Sequence, residues 1–257
     1  MVLQVLIYQM SVQFGDVQEN INKISQMLEK EQPQPGTLVV LPELFLTGYS
    51  PEAIEDVARD AEETNLGQLL FLANKYKIKL FGSLPLLSGG EIYNTAILIN
   101  DGQIISRYQK SHLFGPMGEK ELFRAGREIS VSHLGDLAVG TSVCYDLRFP
   151  ELYRQQASHG AELLLICAEW PSTRINHWST LLQARAIENQ LTIIACNRVG
   201  DDPDYHYGGH STIINSFGEE LAAAAHDREM VIRYSLDETG LVSFRDKFNT
   251  AIDTWLQ

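Results

Sequence analysis

Three polar residues of different chemistry stand at the ends of apolar stretches. Glu43 follows "TLVVLP", Lys110 lies in "YQKSHLF", and Cys144 ends "LAVGTSV". Singly, each has an ordinary reading: a loop carboxylate, a solvated hairpin-end lysine, and a buried filler, since free cysteine is among the most buried residue types. Jointly they are the parts of an acyl-transfer site. A thiolate attacks a carbonyl carbon, and a carboxylate takes the thiol proton and later activates water. An ammonium stabilises the oxyanion, helped by the backbone N–H of Tyr145. Around the cysteine, "VGTSVCYDLRFPELYR" reads as strand, tight corner and helix, with the thiol on the corner. A helix beginning behind Pro150 and an ammonium nearby both favour the anion, so a lowered thiol pKa is expected.

Placing such residues needs strands. "VLQVLIYQ", "TLVVLPE" and "IKLFGSLP" read as apolar strands, and between them "GDVQENINKISQMLEKEQPQPG" and "NLGQLLFLANKYK" have helical spacing. "IYNTAILIN", Asp101-Gly102 and "QIISRYQK" form a hairpin signal with a two-residue turn, and "HSTIINSFGEEL" reads as a second hairpin. "LAVGTSVC", "AELLLICAEW" and "LTIIACNRV" are further strands. A helix from Pro150 and another over "INHWSTLLQARAIENQ" separate them, and "EMVIRYSL" precedes a polar tail. Alternation broken by hairpins predicts mixed sheets. About ten strands are expected, more than one twisted sheet carries comfortably, so two face-to-face sheets with outer helices are predicted. Polar residues at the carboxyl edge of such sheets are where sites form.

The 257 residues contain no repeat or low-complexity linker, and one domain over 1–257 is the expectation. With 33 acidic and 20 basic residues the net charge is −13, which argues against nucleic-acid or anionic-membrane partners. The three cysteines, Cys144, Cys167 and Cys196, are widely spaced and suggest no disulfide framework. "MVLQVLIYQM" lacks a basic leader and a long apolar run, so a reduced cytoplasm is the expected compartment.

"LPELFLTGY", "YQKSHLF" and "SVCYDLRFPELYR" resemble, in order, the three signature segments of the nitrilase, or carbon–nitrogen hydrolase, superfamily. The resemblance implies an α/β fold, a four-layer α-β-β-α sandwich with two mixed β-sheets, and a homodimer formed through outer helices. It implies a cofactor-free thiol amidase with Glu43 as base, Lys110 as oxyanion stabiliser and Cys144 as nucleophile. It also implies a second glutamate after the lysine, seven residues before Gly126, which is Glu119. Glu121 lies close enough to compete, and a surface carboxylate is the alternative for either. Tyr145 and Asp146 differ from the tryptophan-glutamate pair of typical true nitrilases, which favours amide over nitrile substrates.

"AEWPSTRINHW" resembles the omega-amidase-like branch, whose substrates are short acids with a terminal amide, such as 2-oxoglutaramate. Arg174 would then hold the substrate carboxylate, for which a guanidinium is better suited than an ammonium. Its alternative is to flank the helix beginning near Ile175. Trp170 would wall the pocket, and Tyr49 would line its mouth or serve as a packed aromatic. Arg185 and Glu188, three apart on a helix, read as structural. Cys167 and Cys196 read as core, and His112 as a donor behind the lysine. His206 and His210 lie in "HYGGH", too glycine-rich for a helix and without an evident third ligand, so no metal site is expected. Rival functions are hydrolysis of N-carbamoyl compounds, an amidase for deaminated glutathione, and a redox-sensing thiol that turns nothing over. Pairing Cys144 with a histidine base such as His177 is a further rival.

Overall fold

Strands that are apolar at both parities must be covered on both faces, and this dictates the layering. The computed structural model describes residues 2–60 and 64–237. In β1 (Val2–Gln9), Val5 and Ile7 enter one core while Leu6 and Tyr8 enter another. The second core is closed by α1 (Val17–Glu31) through Ile21, Ile24, Met27 and Leu28, the positions whose spacing marks its apolar face. Asp16 caps that helix, its carboxylate accepting from the N–H of Glu19.

β2 (Leu38–Val40) follows, then α2 (Pro51–Asp60), α3 (Leu66–Tyr76), β3 (Lys79–Ser88), β4 (Glu91–Asn100) and β5 (Gln103–Gln109). Asp101 and Gly102 take φ of 47° and 78°, so the two-residue turn has the left-handed pair that a tight hairpin requires. α2 is not anticipated in the strand–helix reading above. Its Ser50-Pro51 start is nonetheless a cap followed by proline in the first turn, and the Ser50 carbonyl accepts from the N–H of Ile54.

The second half holds the short α4 (Glu119–Leu122), β6 (Val131–Leu134), β7 (Leu137–Val143), a 3₁₀ turn over Cys144–Arg148, and α5 (Pro150–Ser158). β8 (Leu163–Ala168), α6 (Ile175–Asn189), β9 (Thr192–Asn197), β10 (Val199–Asp201), β11 (His206–Gly208), β12 (Thr212–Ile214), β13 (Glu220–Ala223) and β14 (Met230–Asp237) complete it. The described residues thus carry fourteen strands where about ten were expected, and the polar tail lies outside them. Twelve strands form two six-stranded sheets, ordered β14-β1-β2-β3-β4-β5 and β13-β12-β9-β8-β7-β6. Each has three parallel central strands flanked by antiparallel ones, the mixed pattern that interrupted alternation predicts. Val5, Ile7, Val40, Phe81 and Leu98 of the first sheet share one core with Val139, Leu165 and Ile194 of the second. Leu152, Tyr153, Trp178, Leu182 and Ala186 of α5 and α6 close the far side, giving the four-layer α-β-β-α sandwich.

Candidate active site

The carboxyl ends of β2 and β5 in one sheet and of β7 and β8 in the other converge. Glu43 lies just past β2, and its N–H donates to the carbonyl of Ala168 at the end of β8 (3.4 Å). Lys110 directly follows β5, its N–H held by the Asn94 carbonyl (2.9 Å) and its carbonyl by the N–H of Gly126 (2.9 Å). Gly126 is obligatory for that approach, since a Cβ there would meet the Gln109 carbonyl oxygen at 2.2 Å.

Cys144 opens the 3₁₀ turn with φ of 46°, a left-handed conformation that costs a non-glycine residue on the order of 1 kcal/mol or more. Asp146 braces the corner: its carboxylate accepts from the N–H groups of Val143 (3.1 Å) and His112 (3.0 Å) and from the Tyr108 hydroxyl (2.9 Å). The His112 ring packs flat on Phe149, with Nδ1 2.8 Å from Asp146, so His112 serves the cysteine turn and not the lysine. Arg185 buttresses the same turn, donating twice to the Leu147 carbonyl (3.1 and 2.9 Å) and once to Glu188 (2.9 Å). The structural reading of that pair holds.

Lys110, Glu43 and Glu119 are fully buried and in direct contact. Lys110 Nζ lies 2.8 Å from Glu43 Oε1 and 2.5 Å from Glu119 Oε1. Glu121 is exposed and takes no part. Tyr49 lines the pocket over Cys144 and also reaches the buried charges below it. It is buried, with its hydroxyl 2.8 Å from Glu43 Oε1 and 3.0 Å from Glu119 Oε1. Asn94 Nδ2 donates to Glu43 Oε1 (2.8 Å), and the peptide N–H groups of Glu169 and Phe114 donate to Glu43 Oε2 (2.8 Å) and Glu119 Oε2 (2.5 Å).

The electrostatics follow from this packing. Burial alone would raise Glu43, but the charge and hydrogen bond of Lys110, with the Glu169 N–H, outweigh it and hold the carboxyl below its ordinary range. Burial and the neighbouring Glu43 charge keep Glu119 above that range, against the pull of Lys110. Lys110, although desolvated, is held well above the usual lysine value by Glu119 and Glu43.

The thiol corrects an expectation. Cys144 is only 7 % exposed, and its pKa is raised well above the ordinary thiol value, chiefly by burial and next by the Glu43 charge, with Lys110 opposing. The helix that was to lower it, α5, begins six residues later and does not start at the thiol. Cys167 and Cys196 are buried in the core, as expected. His177 is exposed, with Nδ1 3.3 Å from the half-buried Arg148 guanidinium, and it is not among the residues lining the pocket over Cys144. The His206 ring nitrogens lie 2.7 Å from Asp201 and 2.9 Å from Asp227.

Above Cys144 lies a small open pocket, lined by Tyr49, Phe114, Tyr145, Arg148, Trp170 and Arg174 among others. The Trp170 indole N–H donates to the Arg174 carbonyl (2.8 Å), so the wall is tied to the segment carrying the arginine. The Arg174 guanidinium lies 5.0 Å from the Phe114 ring centroid, makes no side-chain cap to α6, and has a buried Nη2 without a partner. Arg148, which sequence reasoning missed, lies 4.7 Å over Trp170. Its place four residues after Cys144, on a turn that curls back over the thiol, is the signal that could have found it.

The site is that of a carbon–nitrogen hydrolase, and the chain belongs to that family, whose model matches residues 4–245. It is therefore a hydrolase of non-peptide C–N bonds. It is 38 % identical over 231 residues to a 2-oxoglutaramate amidase of Bacillus subtilis, covering 89 % of this chain and 88 % of that protein. It is 34 % identical over 253 residues to the omega-amidase YafV of Yersinia enterocolitica, covering 98 % and 96 %. In structure it is similar to a CN-hydrolase superfamily protein of Xanthomonas campestris with an arsenic adduct in its active site, at TM-score 0.92 and 30 % identity over 100 % of this chain and 98 % of that one.

Proposed function

We propose that residues 1–257 form one catalytic domain that hydrolyses short amides bearing a carboxylate, converting 2-oxoglutaramate to 2-oxoglutarate and ammonia. The observation that carries this reading is the unpartnered, buried Nη2 of Arg174 in the pocket over Cys144. A buried guanidinium nitrogen with no acceptor costs stability unless a ligand supplies one, and a carboxylate fits its fork. Arg148 adds a second cation on the same wall. Relatives named for 2-oxoglutaramate and omega-amide chemistry support the substrate class.

The steps use this chain's own groups. As Sγ of Cys144 attacks the amide carbon, its proton passes to Glu43. The carbonyl oxygen becomes an oxyanion, facing the Lys110 ammonium and the Tyr145 N–H. Collapse breaks the C–N bond, Glu43 returns the proton to the leaving nitrogen, and ammonia departs from a thioester. Glu43 then takes a proton from water, which attacks the thioester and releases the acid and the thiol. Glu119, Tyr49 and Asn94 hold Lys110 and Glu43 in register.

A dimer through α6 is part of the proposal. Ile187 (54 % exposed) on that helix and Phe217 (57 %) beside it form an apolar patch, which sedimentation of Ile187→Glu against the parent would test. The free thiols fit a reducing cytoplasm, and no helix among the described residues is long and apolar enough to cross a membrane.

The test is ammonia release from 2-oxoglutaramate, glutamine, an N-carbamoyl amino acid and an aliphatic nitrile, with Cys144→Ala as control. Turnover of 2-oxoglutaramate well above the others is expected. Preference for the carbamoyl compound would defeat the reading.

A further inference from the structure

The end of β8 carries a buried acid that the steps above do not use. Glu169 Oε2 pairs with Arg198 Nη1 at 3.2 Å, and neither side chain is exposed. Arg198 is fixed in turn, its Nη2 donating to the carbonyls of Val12 (2.7 Å) and Asp201 (3.3 Å) while its guanidinium lies 4.5 Å from the Tyr207 ring centroid. Glu169 Oε1 is buried without a partner. Such a pair is a poor stabiliser, because desolvating both ions offsets most of their attraction. Burial indeed pushes the Glu169 carboxyl up to about 8 despite Arg198.

What the pair touches gives it a use. The peptide N–H of Glu169 donates to Glu43 Oε2 (2.8 Å), and its carbonyl lies 3.8 Å from Cys144 Sγ. Through the two peptide units that meet at its Cα, Glu169 therefore faces both ends of the proton transfer, and its side chain is clamped from behind by an arginine rooted in two other segments.

We propose that Glu169, clamped by Arg198, is a positioning residue for the reaction: it fixes the peptide plane that orients the Glu43 carboxylate toward the Cys144 thiol. This rests on the reading of Glu43 as base. The Glu169 N–H also helps hold Glu43 below its ordinary range, so loosening the clamp raises Glu43 and moves the acid limb of kcat/KM to higher pH. Any negative charge on Glu169 can only raise Glu43, so replacing it with a neutral side chain would by itself move the limb to lower pH. A limb that moves up in the Glu169 variants then reports a displaced peptide, not a lost field.

The experiment measures kcat, KM and the pH profile of ammonia release from 2-oxoglutaramate for Glu169→Gln, Glu169→Ala, Arg198→Met and the last two combined. In Glu169→Ala and Arg198→Met, kcat is expected to fall about tenfold, KM to stay within about twofold, and the acid limb to rise by about half a pH unit. Glu169→Gln, which can still accept from Arg198, recovers part of the loss. The double variant is no worse than either single one, because the two residues act as a unit. Unchanged kcat and limb in folded variants overturn the proposal, as does a loss of amplitude with the limb in place. Should Arg198→Met not fold, the two Glu169 variants carry the test. Glu43→Gln run alongside separates the claims: turnover surviving there defeats the base assignment, whereas a dead Glu43→Gln beside unaffected Glu169 variants defeats the clamp alone.

Discussion

Replacing Arg174 with alanine isolates the contact on which substrate class depends. In the free protein the side chain makes one favourable contact, its stacking 5.0 Å from the Phe114 centroid, worth about 0.5–1 kcal/mol. The carbonyl that anchors the Trp170 indole belongs to the backbone and survives the substitution. Folding stability should therefore change little. In the complex the loss is larger, because a hydrogen bond to a charged partner contributes about 1.5–3 kcal/mol, and the buried Nη2 places this one near the top of that range. About 3 kcal/mol corresponds to a factor on the order of a hundred. The remaining Arg148 on the pocket wall keeps it from being greater. Steady-state ammonia release from 2-oxoglutaramate should show that factor mainly in KM, while the neutral propionamide shows little change. Arg174→Lys, keeping charge without the fork, should fall between. An equal factor on the acid amide and the neutral amide would refute the assignment and leave Arg174 as a packing residue.

Three more expectations are open to direct measurement. Glu43 is held below its ordinary value, so its contribution to stability and its competence as base are present at neutral pH and lost as pH falls through that lowered pKa. A pH series of thermal melts and of kcat/KM should show both declining on the acid side, below the ordinary carboxylate value. Lys110, raised above the usual lysine value, has the opposite sign: its contribution holds below the unfolded pKa and fails only in strong alkali. Gly126→Ala would force a methyl within 2.2 Å of the Gln109 carbonyl and displace the strand end carrying Lys110. A cost of about 3 kcal/mol or more is expected, read as a large drop in melting temperature with parallel loss of turnover, and a wild-type melt would sink the account.

How much of this is legible in the sequence depends on whether a residue acts locally. Lys110 is readable as the end of a hairpin strand begun by the Asp101-Gly102 turn, but its pairing with the Asn94 carbonyl is not, because a bulge at Ile105 shifts the register by one residue. Cys144 is readable because its strand, corner and helix are contiguous. Glu169 is not, since it acts through a peptide N–H and pairs with an arginine 29 residues away, and no spacing rule carries that. Asn94 is hidden likewise inside "IYNTAILIN", where its neighbours' burial is visible but the carboxylates it meets are not. The raised pKa of the thiol is hidden from the sequence for a related reason. Ammonium and helix start are visible in the chain, whereas full burial beside Glu43 is a property of the folded site.

That raised thiol pKa fits the charge count around it. One ammonium, Lys110, already faces two buried carboxyl groups, Glu43 and Glu119. A resting thiolate would add a third negative centre to a buried cluster, so the thiol stays neutral until its proton moves to Glu43. Transfer during attack keeps the count constant, because the negative charge leaves Glu43 as it appears on sulfur and then on the oxyanion. Glu43→Gln should therefore separate two properties that usually travel together. The Glu43 charge is the second largest influence raising the thiol, and removing it should let Cys144 ionise at lower pH than in the parent. Turnover should meanwhile fall by about 10²–10⁴, the usual worth of a positioned base. Ultraviolet thiolate absorbance, corrected with Cys144→Ala for the two core cysteines, reads the first, and ammonia release reads the second. A Cys144 that ionises at higher pH once Glu43 is neutral would mean that its proton is held by something other than this carboxylate.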